Sequence, residues 1–152
     1  MKNVLRCAIA LIIALAPTAA QAQFRPEVQS QCEEALRSAG SLLLRERNLT
    51  VVDAGFWRAS EIYRGYPDNK PVAFGVRLSG PDAENVMNSI QLMTTISRTI
   101  INGCPPVGLV TFSMAETDWQ SPFGLINGQV REFECVDPSS EPTTPWGYYT
   151  CI

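Results

Sequence analysis

The first 22 residues decide where this chain folds, and through that what its cysteines do. Met1 to Arg6 carries Lys2 and Arg6, an almost unbroken apolar run follows from Cys7 to Pro17, and Ala20-Gln21-Ala22 presents small residues where a signal peptidase reads them. The apolar run is about eleven residues long, short of the ~20 that a spanning helix requires. Residues 1–22 are therefore expected to be a cleaved signal peptide with Gln23 as the new N-terminus. Residues 23–152 are expected to form a single globular domain, periplasmic or extracellular. Cys7 precedes the apolar run instead of marking the cleavage point, so it is not a lipid attachment site. No later stretch is apolar enough to span a bilayer.

Export into an oxidising compartment turns the remaining cysteines, Cys32, Cys104, Cys135 and Cys151, into a disulfide framework. A zinc site is not expected: no pair has CxxC spacing and the chain contains no histidine. Three pairings are open. Cys135 and Cys151 lie 16 residues apart across a Pro-rich tail that little else would hold. Cys32 belongs to the inward stripe of a first helix, and Cys104 lies just past a second. The expectation is Cys32–Cys104 with Cys135–Cys151. The main alternative, Cys104–Cys135 with Cys32–Cys151, needs the strand ending at Cys135 to return beside the one that follows Cys104.

Periodicity supplies the architecture. Arg25 to Ala39 reads as a helix with Pro26 and Glu27 in its first turn and Gly40 as its stop; Val28, Cys32, Ala35 and Leu36 face inward. Leu42 to Leu44 fit either a helix extension or a lead into a strand. A β region begins at Leu49, breaks at Gly55 and continues over Phe56–Tyr63. Past a loop at Gly65–Lys70, Val72, Phe74, Val76 and Leu78 alternate with Ala73, Gly75, Arg77 and Ser79, the period of a strand with one buried face. These two runs should form a hairpin. Pro81, Asp82 and Glu84 then open the longest helix, running to about Asn102 with Val86, Ile90, Met93, Ile96 or Ser97, and Ile100 inward. Strands follow at Gly108–Met114 and Phe123–Ile126. Asn127-Gly128 signals a type I′ turn into a partner strand, Gln129–Val136. There Val130 and Phe133 have opposite parity, so a bulge is expected near Arg131-Glu132. The tail, 137–152, should be irregular. The result is a disulfide-stabilised α+β fold in the order α-β-β-α-β-β-β, an antiparallel sheet of four to five strands with two helices on one face.

The residue types present exclude most catalytic classes. Without histidine, Ser-His-Asp and Cys-His catalysis lack their base. Lys70, the one lysine left after cleavage, falls in a turn where a solvated ammonium is too weak a base. No phosphate-binding glycine string and no CxxC redox pair is present, and no cofactor or metal is expected. Ten basic against fifteen acidic residues after cleavage give a net charge of −5, which argues against nucleic acid as a partner. Two classes remain. The favoured one is a non-enzymatic domain binding a protein or envelope component, with Trp119, Trp146, Tyr148 and Tyr149 as stacking or anchoring residues. The other is a small hydrolase acting on polysaccharide through a pair drawn from Asp53, Glu61, Glu116 and Asp118. Glu116-Thr117-Asp118 is in addition a weak match to a hard-cation site.

Overall fold

The computed structural model of the chain describes residues 19–45 and 47–151, so most of the expected leader lies outside the described residues. Helix α1 spans Ala19–Leu44 and is followed by β1 (Thr50–Arg58), a 3-10 turn at Ala59–Glu61, β2 (Tyr63–Arg64) and β3 (Val72–Ser79). Helices α2 (Ala83–Met87) and α3 (Ile90–Gly103) lead into β4 (Val107–Met114), β5 (Gln120–Ile126) and β6 (Gln129–Glu132). The chain ends with β7 (Glu134–Val136), β8 (Thr144–Pro145) and β9 (Tyr148–Thr150). The main sheet has the order β1-β3-β4-β5-β6. Every neighbouring pair in it is antiparallel except β3–β4. That parallel pair follows from α2 and α3, which carry the chain back across the sheet as a parallel connection requires. No helix among the described residues is long and apolar enough to cross a membrane.

One face of the sheet lies under the helices. Val72, Phe74, Val76 and Leu78 of β3 point there, as their alternation implies. Phe112 and Phe123 join them, together with Val28, Cys32 and Ala35 of α1 and Met93, Ile96 and Ile100 of α3. Both expected disulfides form. Cys32–Cys104 ties α1 to the end of α3 with 4.6 Å between Cα atoms, and Cys135–Cys151 ties β7 to the tail with 5.2 Å.

The differences from expectation have local causes. Helix α1 does not stop at Gly40. Leu43 beyond it is buried in the core, and the Arg47 guanidinium donates to the terminal carbonyls of Leu42 and Leu43 at 2.9 and 3.1 Å. Those gains outweigh the ~1 kcal/mol that a glycine costs inside a helix. The second helix is broken at Asn88-Ser89, where the Ser89 hydroxyl accepts from the Leu92 amide and caps α3. The break resets the helical phase, so Ile90, expected inward, is 56% exposed. In β1, ahead of that helix, the chain runs straight through Gly55 and turns only at Ala59–Glu61. The strand expected over Gln129–Val136 divides at Phe133, the place where its parity changes. Val130 enters the core under the helices, and Phe133 enters a second core on the opposite face.

That second core is built by the tail. Tyr63, Ala73, Leu109 and Phe133 are buried there, with Trp57, Trp146 and Tyr149 packed against them. Residues 137–143 carry no helix or strand. Beyond them β8 pairs with β2 and β9 with β7, both in parallel. The tail is thus more regular than its composition suggests, because the aromatic residues in it have a sheet face to cover.

Candidate functional site

Cross-strand register organises the tail-covered face into transverse rows. Trp57, Ala73, Leu109 and Gly124 lie side by side in the first row, and Gly55, Gly75, Thr111 and Pro122 in the second. The third row is polar: Asp53 opposite Arg77, Arg77 beside Ser113, and Ser113 opposite Gln120. Four strands at about 4.8 Å spacing make this row roughly 14 Å long. The aromatic core sits on the first row. Trp146 makes edge-to-face contacts with Tyr63 and Phe133 at centroid separations of 5.7 and 5.0 Å, and its Nε1 donates to the Leu125 carbonyl at 2.9 Å. Burial there pushes the Tyr63 hydroxyl up to about 12.

Where the tail stops covering the sheet, a cleft of about 550 Å³ opens over the second and third rows. Its floor is Gly75, Arg77, Thr111, Ser113 and Gln120, and its walls include Trp57, Tyr63, Tyr149 and Thr150. Trp57 reaches its wall position because residue 75 has no side chain: a Cβ there would lie 2.6 Å from Cζ3 of the indole. The indole Nε1 is buried and has no acceptor among the described residues. Arg77 is exposed, and the ion pairs Arg37–Glu33 and Arg64–Glu141 lie elsewhere. Its guanidinium therefore offers its donor fork to whatever enters. A smaller pocket of about 150 Å³ continues the cleft, sharing Gln120, Tyr149 and Thr150 with it and adding Asp118, Trp119 and the Cys135–Cys151 bridge.

No protein-family model, curated protein or solved structure matches the chain.

Of the residues singled out from the sequence, Tyr149 lines both pockets and Trp119 the smaller one. Trp146 belongs to the second core, and Tyr148 is 40% exposed beside neither pocket. The four acids are not brought together. Asp53 is the one acid among the described residues lining the cleft, and Asp118 lines the smaller pocket. Glu61 ends the 3-10 turn. Glu116 occupies a tight turn at φ 62°, where the Thr117 hydroxyl donates to the Met114 carbonyl and accepts from the Trp119 amide. No group of three or more His, Cys, Asp or Glu among the described residues is gathered to hold a metal. Lys70 is not solvated as expected. Half-buried, it donates to the Ile101 carbonyl at 2.7 Å, and desolvation lowers its pKa. Sequence reasoning missed Arg77 and Gln120; Trp57, which its parity with Tyr63 left as either core or platform, forms a wall of the cleft. A usable signal was the pair of small residues at alternate positions of one strand, Ala73 and Gly75, which marks a sheet face that makes room for large side chains.

Proposed function

We propose that the protein is an exported binding domain of the cell envelope whose cleft holds a hydroxyl-rich chain, a glycan segment. The observation that carries this reading is the polar row Asp53, Arg77, Ser113 and Gln120 beside the aromatic walls Trp57 and Tyr149. Aromatic faces pack against the apolar face of a sugar ring, and a few convergent polar groups fix its hydroxyls. Two disulfides fit an oxidising compartment, and the leader at 1–22 supplies the route there. Paired-carboxylate hydrolysis needs a second acid across the scissile bond, so the cleft, with Asp53 as its acid, supports binding better than turnover.

The test is titration calorimetry of the protein beginning at Gln23 against soluble oligosaccharide fragments of bacterial cell walls. Saturable binding, weakened at least tenfold in Arg77→Ala and in Tyr149→Ala, is the expected result. Binding indifferent to both changes, or none to any fragment, overturns the reading. Release of new reducing ends during the titration would favour the hydrolase.

A further inference from the structure

A second pocket, of about 440 Å³, lies on the other side of the sheet, between α1 and the β1–β3 edge. Leu36 and Leu43 of α1 form its roof, Phe56 and Phe74 its floor, and Ile96 and Ile100 of α3 its back wall. Gln29 is the one polar side chain among the described residues lining it. The residues that α1 contributes run from Gln29 to Leu43, about 21 Å of helix axis.

Gly40 keeps this slot open. It lies inside α1, where glycine is unfavourable, and it lines the slot; a Cβ built on it meets nothing within 4 Å. Any larger side chain at position 40 would project into the space between helix and sheet. On β1, Ala54 and Gly55 are equally small. A long apolar space without internal hydrogen-bonding groups selects a ligand that presents none, and Gln29 at one end suits a polar terminus.

We propose that this slot binds one alkyl chain of a single-chain amphiphile, with its head group beside Gln29. At a C–C bond length of about 1.5 Å, the slot accommodates a zigzag chain of roughly sixteen carbons. The inference is independent of the glycan reading, because the cleft lies on the opposite face of the sheet.

The experiment is displacement of 1-anilinonaphthalene-8-sulfonate by saturated fatty acids of graded length, below their aggregation concentrations, using the protein beginning at Gln23. Expected are one site per chain, affinity rising about fourfold per added methylene, and a plateau near sixteen carbons. Gly40→Leu should weaken binding at least tenfold while the melting temperature holds or rises, which separates blockage from misfolding. Arg77→Ala should leave chain binding unchanged even if it abolishes glycan binding. Three outcomes would overturn the proposal: no saturable displacement, affinity independent of chain length, or Gly40→Leu binding like the parent protein. A dimer by sedimentation that Gly40→Leu dissociates would also overturn it, since a second copy would then cover the slot.

Discussion

A methyl group at position 75 would meet the Trp57 ring at 2.6 and 2.9 Å, and an aromatic ring cannot yield as a flexible chain does. Gly75→Ala is therefore expected to push Trp57 out over the cleft at a cost of about 1–3 kcal/mol. Thermal denaturation reads the cost, and a red shift in tryptophan emission reads the displacement. Tyr63 makes the opposite kind of prediction. Its hydroxyl is raised from 10.0 to about 12 by burial, so the folded state disfavours the phenolate that the unfolded chain forms readily. The contribution of Tyr63 is fully present below pH 10 and is lost as pH rises toward 12, up to roughly 3 kcal/mol. Ultraviolet titration should show one of the four tyrosines ionising last, together with alkaline unfolding, and Tyr63→Phe should remove that late step. The sequence leaves Trp57 and Tyr63 open between core and platform. Trp57 and Tyr63 share a parity within one expected strand, yet the 3-10 turn between them lets one line a wall and the other enter a core.

Elements were legible where a local pattern decides them. The alternation of β3 and the Asn127-Gly128 turn, with φ of 50° and 77°, need nothing beyond their own residues, and both form as expected. Helix α1 overran its glycine and the second helix broke because distant packing and a serine cap outweighed propensity. The cleft was least legible, since its polar row joins residues 53, 77, 113 and 120, which only the register of four strands aligns. The tail depends on its bridge in the same way. Cys135 is exposed and Cys151 half-buried, whereas Cys32 and Cys104 are fully buried. Mild reductant should therefore open Cys135–Cys151 first. Replacing both of its cysteines by alanine should cost about 3 kcal/mol for a loop of this length. It should also release Tyr149 and Thr150 from the cleft, seen by denaturation and by loss of the proposed glycan binding with α3 still protected from amide exchange.

At the scale of the whole molecule, the export reading sets the mature boundary within α1. Cleavage after Ala22 leaves a helix beginning at Gln23 and a chain of 130 residues, and intact-mass measurement of exported material should find that mass or its pyroglutamate form. Retention of Lys2 and Arg6 in exported protein would overturn the leader assignment.

The two bridges carry a further consequence for assembly. Of the three ways to pair four cysteines, Cys32–Cys104 with Cys135–Cys151 is the one whose loops neither cross nor nest. On the export reading, a chain threading outward with its N-terminus leading offers its thiols in that same order, so each can meet its proper mate before the next pair arrives. An oxidant that joins cysteines as they appear is then sufficient, with no reshuffling. Oxidised protein should accumulate to the same yield in cells lacking a disulfide isomerase, and non-reducing peptide mapping should show no Cys104–Cys135 fragment at any time during export.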